Sequence, residues 1–152
     1  MTGYQRYIFV DENGTCRAPM AAELLKECLP HYTGEIIARG LVVLFSEPLN
    51  QKADAVMISN GIHLENYRSA ALTPEDVNED TFVICFEDVQ KERILKVLPA
   101  AFPEGQVQVL HELIGDELEI MNPYGAPLTA YGLLYESLNK AIYKLAKQME
   151  EP

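Results

Sequence analysis

The sequence predicts an α/β fold in three layers, with helices on both sides of a central parallel sheet of four strands. Two observations carry this. Short apolar runs rich in β-branched and aromatic residues alternate along the chain with segments of helical period, and strand–crossover–strand units of this kind build parallel sheets. The length of 152 residues suits one domain with a proper core, so residues 1–152 are expected to form a single domain.

Tyr7 to Val10 follows polar Gln5 and Arg6 and reads as a short buried strand. Ala18 to Leu29 places Met20, Leu24, Leu25 and Cys28 at helical spacing, with Pro19 just inside its start and Pro30 closing it. Glu35 to Ala38 is a second strand, and Gln51 to Asn60 a helix ended by Gly61. Ser69 to Asp80 is a polar, acidic loop in which the capping pattern Thr73-Pro74-Glu75-Asp76 starts a short helix. Thr81 to Phe86 (TFVICF) is the strongest strand, by its β-branched and aromatic content. A helix from Val89 to Leu98 stops at Pro99, and Val107 to Leu110 is the fourth strand. Leu128 to Met149 is a long amphipathic helix with Leu134, Leu138, Ile142 and Leu145 on one face.

Twelve basic side chains face 23 acidic ones, a net charge of −11. That field repels nucleic acid and anionic membranes, so neither is an expected partner. No apolar run approaches the ~20 residues of a membrane span, and MTGYQRYIFVDENG lacks the apolar stretch of a signal peptide. Three cysteines, Cys16, Cys28 and Cys85, suit free thiols in a reducing cytoplasm. His31, His63 and His111 are scattered singly and show no ligand spacing, so no metal or other cofactor is expected.

The loop Asp11-Glu12-Asn13-Gly14-Thr15-Cys16-Arg17 joins the first strand to the first helix. Ligands in parallel sheets bind beyond the carboxyl ends of strands, at a switch point of the strand order, so the first strand is expected to be central. Gly14 accepts a left-handed backbone angle, and Asn13 tolerates one. Successive N–H groups of such a turn form a nest for an anion at the helix N-terminus, and Arg17 can add a two-pronged contact.

This strand–loop–Arg-x-Pro–helix resembles the phosphate-binding loop of the low-molecular-weight protein tyrosine phosphatases. That family carries C-x5-R-S-P within V-C-x-G-N-x-C-R-S-P. Here the stretch is Val10-Asp11-Glu12-Asn13-Gly14-Thr15-Cys16-Arg17-Ala18-Pro19. A second segment agrees: the family's D-P-[YF]-G before its last helix matches Asn122-Pro123-Tyr124-Gly125. Ala38-Arg39-Gly40, Asn60-Gly61-Ile62 and TFVICFED also fall at familiar places. The resemblance implies the strand order 2-1-3-4 and an anion loop of Glu12, Asn13, Gly14, Thr15, Cys16 and Arg17, with Arg17 holding phosphate and Tyr124 on the site wall. It also puts Asp11 where the family has its nucleophilic Cys, Asn122 at the general-acid Asp, and Ala18 at the Ser that supports the thiolate.

These departures shape the expected function. Asp11 removes the thiolate, and Asn122 cannot protonate a leaving group, a loss of ~10²–10⁴-fold by itself. The leading expectation is an inactive, phosphatase-like binding or regulatory module whose inherited partner is a phosphotyrosine protein or an inorganic oxyanion. The alternatives are an active phosphatase of altered chemistry, working through Asp11 or Cys16, and an arsenate-reductase-like protein. Asp11 is further expected to lean toward Arg17 and the loop N–H groups as an internal anion, with its pKa lowered by that pairing.

Overall fold

The computed structural model describes residues 1–150. Strands β1 (Arg6–Asp11), β2 (Glu35–Gly40), β3 (Thr81–Cys85) and β4 (Val107–Val109) form one sheet in the order β2-β1-β3-β4, and every pairing is parallel. Helices α1 (Arg17–Cys28), α2 (Gln51–Ser59), α3 (Asp88–Val97), α4 (Leu110–Leu113) and α5 (Leu128–Glu150) connect and flank the strands. The strand order and the central place of β1 are those expected.

The period of two along each strand sorts its side chains to opposite faces. Tyr7 and Phe9 of β1 join Phe82 and Ile84 of β3 in a core closed by α1, α2 and α5, where Leu24, Leu25, Leu134, Leu138 and Ile142 are buried. Ile8 and Val10 turn the other way, with Val83, Cys85, Val107 and Val109, onto Ile94 and Leu98 of α3. The sheet is covered on both faces, the usual state of an all-parallel sheet.

Several boundaries differ from the sequence expectation. Strand β1 includes Asp11 and β2 runs on to Gly40, because Asp11 and Gly40 are register partners at the end of the ladder. Strand β3 stops at Cys85 and β4 at Val109. The Thr73 capping box forms, but encloses only a single 3-10 turn, Pro74–Asp76. Helix α4 was not expected, since its four residues are too few to show a helical period. No described helix is long and apolar enough to cross a membrane.

Candidate functional site

The loop from Asp11 to Arg17 leaves the carboxyl end of β1 in the middle of the sheet and enters α1. Gly14 sits at φ +74°, the left-handed region that favours glycine. Its backbone lies against β2: a Cβ on Gly40 would come within 2.5 Å of the Asn13 carbonyl carbon and 2.6 Å of the Gly14 nitrogen. The loop is tied down further by Tyr67, whose hydroxyl donates to Gly14 O (2.5 Å), and by the Asn50 N–H, which donates to Thr15 O (2.9 Å). Asn13 Oδ1 accepts from the Thr15 hydroxyl at 2.7 Å. The turn is preformed and braced on two sides.

Asp11 is buried at the floor of this loop. One carboxylate oxygen accepts from the Gly14 N–H (2.5 Å) and the other from the Ala18 N–H (2.9 Å). The Asp11 carboxyl group therefore occupies the cradle, bonded to the loop N–H groups as expected. Its pairing differs from the expectation, because Arg17 does not hydrogen-bond to it. The Arg17 guanidinium, 2% exposed, donates to Glu87 Oε2 (2.5 Å) and to the Ile120 carbonyl (2.8 Å), and lies over the Phe86 ring. Glu87 is held for this by buried Gln90, whose Oε1 accepts from the Phe86 and Glu87 N–H groups.

The Asp11 pKa also runs opposite to the expected fall. Burial penalises the ionised form and raises it. The N–H groups of Ala18, Gly14 and Cys16 and the charge of Arg17 pull it back without reversing the rise. Folded Asp11 thus binds its proton more tightly than the unfolded chain does. The stability linked to that proton is complete below the ordinary value of 3.8 and is lost as pH rises through the higher folded pKa. Asp11→Asn removes this component. The melting temperature of the variant relative to wild type should climb as pH increases from about 4, as followed by circular dichroism; a difference independent of pH would contradict the assignment.

Cys16 precedes α1 without capping it. Burial first, and then the neighbouring Asp11 charge, push its thiol up to about 12 despite Arg17. At neutral pH it is a thiol, which disfavours the route in which Cys16 serves as nucleophile. Cys16, Cys28 and Cys85 are all free.

The loop opens on a concavity of about 820 Å³. Asp11, Glu12, Asn13, Thr15, Cys16 and Arg17 line it, together with Asn122 and Tyr124 from the segment before α5. Gly14 is absent from the lining, since it packs toward Gly40. Asn122 and Tyr124 are exposed, with Asn122 Oδ1 accepting from the Tyr124 N–H (3.1 Å). Sequence reasoning missed the opposite wall, Glu47 to Lys52, and Tyr131 beneath it. It also missed Glu87, although that residue directly follows the TFVICF run at the carboxyl end of a strand, where site residues gather. Two further ties fix the rim: Glu12 pairs with Arg93 (2.6 Å), and Lys52 donates to Ala126 O (2.7 Å).

A parallel sheet with a braced loop and a buried arginine at its central switch point defines an α/β protein whose site lies beyond the carboxyl end of its central strand. The model of the low molecular weight phosphotyrosine protein phosphatase family matches residues 6–152, and the chain belongs to that family. A probable low molecular weight protein-tyrosine-phosphatase, EpsP, of Ralstonia nicotianae is 30% identical over 84% of this chain and 83% of its own. The protein-arginine-phosphatase of Geobacillus stearothermophilus is 28% identical over 95% and 96%. Among solved structures, the YwlE arginine phosphatase from that organism superposes with a TM-score of 0.84 at 27% identity, covering 97% of this chain and 94% of that one. The tyrosine phosphatase Wzb from Escherichia coli K30, in complex with sulphate, gives 0.85 at 23% identity over 96% and 99%, a likeness of fold.

Proposed function

We propose that this protein is a pseudophosphatase, a catalytically inactive member of its family that works as a binding or regulatory module. The single observation behind this reading is the buried Asp11 carboxylate at the nucleophile position, already bonded to the Gly14 and Ala18 N–H groups. An aspartate can accept a phosphoryl group in other enzymes, but both oxygens here are turned into the loop's own donors. Asn122, at the acid position, has no proton to give a leaving group. The concavity, its tyrosine wall and the braced loop remain, so the capacity kept is recognition. A phosphotyrosine protein is the inherited ligand class, held by the walls and by the loop donors that Asp11 leaves free, with low affinity for the phosphate group itself.

Purified protein should hydrolyse p-nitrophenyl phosphate no faster than buffer from pH 4 to about 9, the span in which side-chain acids and bases of this kind titrate. Turnover that survives purification and vanishes in Asp11→Ala would overturn the reading. Titration with a phosphotyrosine peptide and its unphosphorylated twin, followed by amide NMR shifts around Glu12–Arg17, tests the binding role.

A further inference from the structure

We infer that Asp88, His111 and Glu112 form a binding site for a divalent metal ion of the zinc class, outside the concavity. Asp88 opens α3 after β3, and His111 and Glu112 lie on α4 after β4, so the sheet brings together residues far apart in sequence. One ligand atom from each lies within 4.8 Å of the others.

The imidazole carries the argument. His111 Nδ1 lies 2.9 Å from the Asp116 carbonyl, which can only accept, so Nδ1 bears the hydrogen. In the neutral ring this leaves the lone pair on Nε2. That nitrogen is buried and is the sole buried side-chain polar atom among the described residues without a hydrogen-bond partner. It faces a carboxylate: Asp88 Oδ1 stands 3.5 Å away. Such a separation is too long for a sound hydrogen bond. Either a proton on Nε2, which makes the imidazolium an ion-pair partner of Asp88, or a metal ion between the two groups removes the repulsion of a bare lone pair, and the spacing together with the third ligand, Glu112, favours the metal. Two ligands of one tetrahedral zinc, with bonds of about 2.1 Å, stand about 3.4 Å apart, close to the 3.5 Å found here. The backbone bond at Nδ1 is the kind of outer support that metal-binding histidines use to fix their tautomer.

The remaining closure is small and falls on mobile groups. The Asp88 side chain is 66% exposed and Glu112 is exposed, so both carboxylates can swing toward the imidazole, leaving a fourth position for water. The two carboxylates neutralise a dication. The imidazole favours zinc, cobalt or nickel over magnesium and calcium, which prefer all-oxygen sites. Single histidines in the sequence concealed this site, because its spacing exists only across β3 and β4.

Full-length protein stripped with a chelator and titrated with Zn²⁺ by calorimetry should bind one ion, and Mg²⁺ should not compete. Co²⁺ should give visible d–d absorption without the near-ultraviolet band of cobalt–thiolate bonding, and Zn²⁺ should shift the His111 Nε2 resonance. Asp88→Asn, Glu112→Gln and His111→Gln should each weaken binding by ~10-fold or more. Should His111→Gln fail to fold, the exposed Asp88→Asn variant still decides. Absence of binding, a thiolate band, or affinity unchanged in Asp88→Asn would overturn the inference.

Discussion

At a pH above the raised folded pKa of Asp11, replacing it by Ser should tighten the binding of inorganic phosphate by roughly 5- to 800-fold, equivalent to about 1–4 kcal/mol for removing one charge a few ångströms from the ligand. The upper part of that range applies as water is excluded, and Asp11 is 2% exposed. Two effects add. The repulsion between carboxylate and phosphate disappears, and the Gly14 and Ala18 N–H groups, now bonded to Asp11, become available. The gain has a ceiling, because Arg17 stays engaged with Glu87 and the Ile120 carbonyl. Adding Glu87→Gln should therefore increase affinity again, by loosening that pair. Calorimetry or phosphorus NMR reads both effects. If Asp11→Ser binds phosphate no better than wild type, Asp11 is not an internal competitor, and the pocket is closed to oxyanions for another reason.

Arg17→Met should lower stability by about 3 kcal/mol, the lower end of the cost of breaking a buried ion pair, since Glu87 keeps 28% of its side-chain exposure and can recover some hydration. Methionine retains an apolar stem over Phe86 but leaves the Glu87 carboxylate and the Ile120 carbonyl without their donor. In a domain of this size the melting temperature should fall by about 6–12 °C, measured by circular dichroism. Glu87→Gln, which keeps an acceptor for the guanidinium, should cost less. A fall of under about 1 °C in Arg17→Met would mean that the arginine is not part of the structural frame. Together these results would separate the two duties of Arg17, which sequence reasoning assigned wholly to ligand binding.

The fold was legible because its signals are local. TFVICF, the period of α5 and the prolines beside α1 and α3 each mark an element with no knowledge of the rest. The placement of Asp11 in the loop was legible too, from the register of the phosphate motif. The partners of Arg17 were not. Glu87 and Ile120 lie 70 and 103 residues away, and nothing near Arg17 in sequence says which distant carboxylate will reach it. The direction of the Asp11 pKa failed for a related reason. Reasoning from the nearest opposite charge pointed down, whereas the degree of burial, a property of the assembled fold, decides upward. Helix α4 was hidden by its brevity and His111 by its isolation, so the cluster with Asp88 and Glu112 emerged only from the packing of β3 beside β4.

The central position of β1 governs the order in which the protein can mature on the ribosome. Its first neighbour, β2, is available once Gly40 has emerged, but its second edge stays bare until Thr81–Cys85 follows. Bare strand edges are templates for wrong pairing, and sheets of distant strands nucleate slowly. The Arg17 clamp waits longer still, because one of its acceptors is Ile120. Nascent chains halted between β2 and β3 should therefore be held open and vulnerable to proteases. The pocket sets late, because its lining runs from Asp11 to Tyr131 and is complete only when residues from both ends of that span have met.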